Sequence, residues 1–212
     1  MTSAVDICNL ALSHIRSADI DSLTEAGTPA AACNLWYAPA RDLALADMPW
    51  NFAGKTAALA KQVEVPNEWA FGYAYPTDCL KIRAITPPGK LRHLTPRIAY
   101  DVAFNAANNK TILTNQDEAC ATYTFRQDDP NQFDPHFVIA LSYQLAVFIA
   151  VPIAGTSKGR LMRDDLAAAY LNAIKAAISA NAGEQFPGPR RESEIIEAYG
   201  ESVGVAARPI AS

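Results

Sequence analysis

The chain has 212 residues, half of them hydrophobic and 19% charged, a balance that supports one sizeable core and excludes global disorder. Its net charge of −4 argues against a conventional nucleic-acid binder, which carries a basic stripe to neutralise phosphates. The N-terminus lacks a basic region followed by an apolar run, so no signal peptide is expected.

The first predicted helix spans about 3–16. Ser3 followed by Asp6 makes a capping-box start that satisfies free N–H groups. Cys8, Leu12 and Ile15 share one face, with Val5 and Ala11 beside them, and 19–27 reads as a polar loop. The second helix is expected over 29–48, with Thr28 as cap and Pro29 at the first helical position. Ala32, Leu35, Trp36, Ala40, Leu43 and Ala44 form its expected apolar stripe, Pro39 should kink it, and Met48-Pro49 ends it.

From about 53 to 127 the period changes. Cys79 to Ile85 alternates apolar with basic, as a half-buried strand does, and 97–104, 110–113 and 119–125 are further candidates. Asn105 to Asn109 suits a turn. Residues 55–62 read equally as helix or strand. Trp69, Phe71, Tyr73 and Tyr75 alternate with small residues, the pattern of one strand face or of a sugar-stacking platform.

The third helix, 135–151, opens at Asp134-Pro135 and is expected to stop before Pro152. Its run from Phe137 to Val151 is shorter than the ~20 apolar residues of a membrane span and holds Ser142, Tyr143 and Gln144 near its centre. Burial in a core is therefore expected, with no membrane contact. The fourth helix, 157–182, carries a stripe of Met162, Leu166, Tyr170, Ala173, Ile174 and Ala177. After Phe186 the Pro-Gly-Pro segment reads as an extended C-terminal arm. The expected fold is thus α+β: a four-helix bundle with an antiparallel β region inserted between helices two and three. Residues 1–185 form one domain and 186–212 the arm.

Candidate chemistry is sparse. The four cysteines (Cys8, Cys33, Cys79, Cys120) and three histidines (His14, His93, His136) lack metal-ligand spacing, so no metal or cofactor is expected. Asp128-Asp129 and Asp164-Asp165 lie beside helix starts, where negative charge complements the helix dipole. Gly155 to Gly159 has the composition of a phosphate loop without its spacing, and no Gly-x-Ser-x-Gly elbow occurs. Neighbouring helical side chains diverge by about 100°, so Arg41-Asp42 is expected to pair with other helices or subunits and not to form one tight site. Trp36, Trp50, Phe52 and Trp69 are read as structural anchors.

Three segments taken together carry a family likeness: Ser3 to Leu12, Tyr37 to Phe52 with its Arg-Asp pair and Pro-Trp-Asn-Phe stop, and Tyr75 to Arg83. In that order and spacing they resemble the tail tubular protein A family, the head-to-tail adaptors of short-tailed phages. The likeness covers the N-terminal half of the chain, and the later helices follow by pattern. It implies a structural virion protein, a dodecameric ring between portal and tail nozzle with DNA passing through its centre. The implied partners are the portal protein, the nozzle protein, other copies of the chain, and DNA that is not specifically recognised. The implied location is the virion tail, and the host cytoplasm during assembly. Arg41, Asp42, Arg190, Arg191, Ile195, Ile196 and Tyr199 are the expected portal or subunit contacts. No enzymatic activity is expected. The alternative is a tail-associated polysaccharide hydrolase, for which the aromatic run near Trp69 speaks and the missing carboxylate pair speaks against.

Overall fold

The computed structural model describes residues 2–62, 68–89 and 96–183. His93 and the expected arm, with Arg190, Arg191, Ile195, Ile196 and Tyr199, lie outside the described residues. Within them the chain is mixed α+β, with four α-helices and two antiparallel sheets.

Helix α1 (Ala4–His14) opens on the expected capping box. The Asp6 N–H donates to Ser3 Oγ at 3.1 Å and the Ser3 N–H donates to Asp6 Oδ2 at 2.8 Å. Helix α2 (Thr28–Asp47) begins one residue early, with Gly27 as its cap, and continues through Pro39. Its inner face differs from the expected stripe. Ala32, Ala40 and Ala44 of that stripe are buried, together with Ala30, Cys33, Tyr37, Arg41 and Leu45, whereas Leu35 and Leu43 are 67% and 43% exposed. The helix is apolar nearly all round, so spacing alone does not say which side turns inward.

Helix α3 (Pro135–Ala154) starts under Asp134, whose Oδ1 accepts the His136 N–H at 2.7 Å. It does not stop at Val151 as expected. The helix continues through Pro152 at the loss of one backbone bond, and ends instead at Gly155 with φ 79°. α3 has the length and hydropathy of a membrane span, a mean of 2.2, yet 56% of that stretch is buried within the chain. It packs against α1, α2 and the returning helix α4 (Thr156–Gly183).

The α3–α4 turn is tight. A Cβ on Gly159 would lie 2.6 Å from the Ala150 carbonyl oxygen and 2.7 Å from Val151 Cα, so only glycine lets the two backbones approach this closely. Beyond it the expected α4 stripe packs inward, with Leu166, Tyr170 and Ala177 buried and Met162, Ala173 and Ile174 partly so.

Between α2 and α3 in the chain lie strands β1 (Gly54–Ala58), β2 (Lys61–Gln62), β3 (Phe71–Ala74), β4 (Cys79–Thr86), β5 (Tyr100–Phe104), β6 (Lys110–Thr114) and β7 (Cys120–Phe125). The ambiguous stretch 55–62 is therefore extended, because pairing with β7 and β3 overrides the local helical preference of its alanines. One sheet has the order β1-β7-β4 and the other β2-β3-β6-β5. They share a core of Tyr73, Ile82, Ile85, Ile112, Ala119, Ala121 and Tyr123. At the open edge of β5 the Val102 N–H donates to Asp101 Oδ1 at 2.7 Å, which occupies a donor that another strand would otherwise seek.

Trp50 ties the two regions together. It is 1% exposed, donates Nε1 to the Ala44 carbonyl at 2.9 Å, and meets Phe137 edge-on at 5.0 Å between ring centres. Phe52 and Phe133 complete that aromatic cluster.

Gly159→Ala should lower stability by about 1–3 kcal/mol, the usual cost of overpacking, as read by calorimetry. An unchanged melting temperature would mean that α3 and α4 have room to separate.

Candidate functional site

Two surfaces of α2 stand out. The first is the polar junction with the sheets. Arg41 is only 8% exposed. Its Nη1 donates to Asp128 Oδ1 at 2.7 Å, and its Nη2 and Nε donate to Asp42 Oδ1 at 2.9 and 3.1 Å. Arg126 Nε donates to Asp42 Oδ2 at 2.8 Å. The direct Arg41–Asp42 bond departs from the expectation for adjacent helical positions. It forms because Asp128, delivered by the segment after β7, and Arg126 hold the far ends of the network. Arg41 is thus committed within the chain, while Asp128 is 70% exposed at its side chain.

One turn before Arg41 lies Tyr37, whose buried hydroxyl has no hydrogen-bond partner. Burial pushes its phenol up to about 12. The C-terminus of α2 is served from outside the helix. Lys81 Nζ donates to the Ala46 carbonyl at 3.0 Å, Arg83 Nη2 to the Trp50 carbonyl at 2.7 Å, and Tyr170 OH to Asp47 Oδ2 at 2.6 Å. An irregularity in the β4–β7 register at Arg83 accompanies that reach.

The second surface is the outer face of α2. Its exposed positions from Ala31 to Leu43 are Ala31, Asn34, Leu35, Ala38, Pro39 and Leu43. None is ionisable. Beside them Trp36, half-buried, stacks on Phe148 of α3 at 5.0 Å and 15°. A row of this length without a charge is unusual for a solvated helix.

Elsewhere several polar groups meet inside the fold. His14 Nε2 lies 3.0 Å from Ser142 Oγ, and the Ser142 hydroxyl is donated to the Ile139 carbonyl at 2.8 Å, so the imidazole is the donor. Ser142 is fully buried, and no substrate can reach it. The thiols of Cys8 and Cys33, far apart in sequence, meet in the core, and that contact with burial pushes the Cys8 thiol up. Among the described residues no three His, Cys, Asp or Glu side chains converge on a metal-sized site.

The aromatic run near Trp69 is not one open platform. Tyr73 is buried and its hydroxyl donates to the Gln116 carbonyl at 2.8 Å. Lys61 and Lys110 lie 5.0 and 3.8 Å from the ring centres of Phe71 and Tyr75. Trp69 is half-buried just before β3. A cleft of about 480 Å³ beside Tyr75 is lined also by Gln62, Thr77, Cys79, Asn109 and Lys110, and no carboxylate lines it among the described residues.

The sequence could have hinted at Tyr37 and Arg41, which share a face at i and i+4. Nothing local points to Arg126 and Asp128, which enter from a distant part of the chain. No protein-family model matches the chain, and none of the curated proteins compared with it is similar.

Two outcomes follow from these environments. Tyr37→Phe should leave stability unchanged or raise it by up to about 1 kcal/mol, since it removes an unpaired buried hydroxyl without changing shape; a lower melting temperature would reveal a partner for that oxygen. His14 is held below its ordinary value of 6.5 by burial, so the folded state favours the neutral ring. Its contribution is complete above that value and declines as pH falls below it. Melting curves of wild type and His14→Gln across this range should diverge least at the acid end. Parallel curves would show that His14 does not carry the pH dependence.

Proposed function

We propose that this chain is a head-to-tail adaptor of a short-tailed phage, a structural virion protein that forms a ring between the portal and the tail nozzle while DNA passes through the centre. The observation that carries the reading is the outer face of α2, free of charged residues, which runs into the Tyr37 to Phe52 segment whose sequence resembles the adaptor family. A ring needs a surface that copies bury against one another, and it needs no catalytic pocket. In this reading the helices form a four-helix bundle that serves as the ring wall, with the β region inserted between its second and third helices.

Arg41 orients Asp42 and Asp128 toward a neighbouring subunit or the portal. Residues 186–212, with Arg190, Arg191, Ile195, Ile196 and Tyr199, supply further docking contacts. The dodecameric number comes from the family likeness alone. The mild net negative charge suits a channel through which DNA slides without being gripped. The protein works in the virion tail after assembly in the host cytoplasm, with no membrane partner and no enzymatic step.

The test is to mix purified protein with portal and image the product. Coaxial rings are expected for the wild type. A Leu35→Glu/Leu43→Glu variant should keep its fold, because both side chains are exposed, yet lose ring formation, because charge at the centre of an apolar contact is costly. Rings of normal yield from that variant would remove the α2 face from the interface. A wild-type protein that never associates with portal would remove the adaptor reading itself.

A further inference from the structure

The outward face of α4 lies opposite its buried line of Gly159, Leu166, Tyr170 and Ala177. Along it, at alternating steps of three and four residues, stand Leu161, Asp164, Ala168, Leu171, Lys175 and Ile178. All six are exposed, Leu161, Leu171 and Ile178 by 77%, 57% and 52%. That spacing keeps a stripe on one side of a helix and suits knobs-into-holes pairing. Among the described residues neither Asp164 nor Lys175 has an ion-pair partner within the chain.

We propose that this stripe pairs antiparallel with the same stripe of a second copy of the chain. The order apolar, acid, small, large, base, apolar is complementary to itself when reversed. With the two-fold axis between Ala168 and Leu171, Leu161 faces the second copy's Ile178 and Asp164 faces its Lys175. The small Ala168 receives its large Leu171. Each contact occurs twice, as an isologous interface requires. A parallel pairing in register would set Asp164 against Asp164 and Lys175 against Lys175, so like-charge repulsion selects the antiparallel arrangement.

The paired length from Leu161 to Ile178 is about 26 Å at 1.5 Å per residue. One such helix face buries less than the ~1,200 Å² of a stable interface, so the dimer is weak and dependent on concentration. A two-fold contact closes on itself and cannot propagate a ring. It therefore stands independently of the adaptor reading, which relies on the face of α2.

Sedimentation velocity on the full-length protein over a concentration series tests the pairing. A reversible monomer–dimer equilibrium is expected. Asp164→Lys alone and Lys175→Asp alone should each weaken it by about tenfold or more, since each sets like charges face to face. The double exchange Asp164→Lys/Lys175→Asp should restore it, and circular dichroism should show all three variants folded, because both positions are exposed. A wild type that stays monomeric at every concentration overturns the proposal. So does a dimer indifferent to the single reversals, or one that the double exchange fails to rescue.

Discussion

The fold turns on the burial of α3. Its residues are apolar on almost every side, so no single neighbour can cover it. α1, α2 and α4 each take part of its surface, and every other helical choice is subordinate to that enclosure. The close approach at Gly159 follows from it, as does the aromatic cluster in which Phe137 meets Trp50, Phe52 and Phe133. Hydrophobic burial is non-directional, and a uniformly apolar rod supplies no orientation of its own. The orientation comes from specific contacts, such as the His14–Ser142 bond and the ring stack of His14 on Tyr143 at 4.1 Å.

The second organising element is the seam between helices and sheets. There the partners are polar and the geometry directional. Arg41, Arg126, Asp42 and Asp128 bind α2 to the segment after β7, while Lys81 and Arg83 of β4 serve carbonyls at and just beyond the end of α2. A helix C-terminus carries unpaired carbonyls and partial negative charge, so cations are favoured there. The helix has no basic residue in its own last turn; strand β4 provides the cation instead. This makes the seam a point of mutual dependence, where neither region completes its hydrogen bonding alone.

Two exposed helix faces differ in kind. α2 offers a row without charges, which places no electrostatic restriction on its neighbour. α4 offers a row whose charges impose a direction. A surface of the first kind suits contacts made by shape, and one of the second specifies the orientation of its partner.

Sequence alone determined the parts that depend on nearby residues. The Ser3–Asp6 box, the Asp134-Pro135 start and the inner stripe of α4 each lie where their pattern puts them, and β4 is a strand as expected, although two register shifts break its alternation. Tertiary structure decided the remainder. Which face of α2 turned inward was not legible, because its alanines and leucines leave no clear polar side; contact with α3 chose Ala40 and Ala44 over Leu35 and Leu43. Residues 55–62 became strands because β7 and β3 offered ladders that local propensity does not register. Arg41 and Asp42 met because Asp128 and Arg126 arrived from far along the chain, and α3 passed Pro152 because burial of Ile149, Ala150 and Ile153 in and against the helical core offsets the backbone bond that the proline forfeits. Short-range hydrogen bonding is written in adjacent letters, whereas burial and ion pairing between distant segments depend on which surfaces the whole chain brings together.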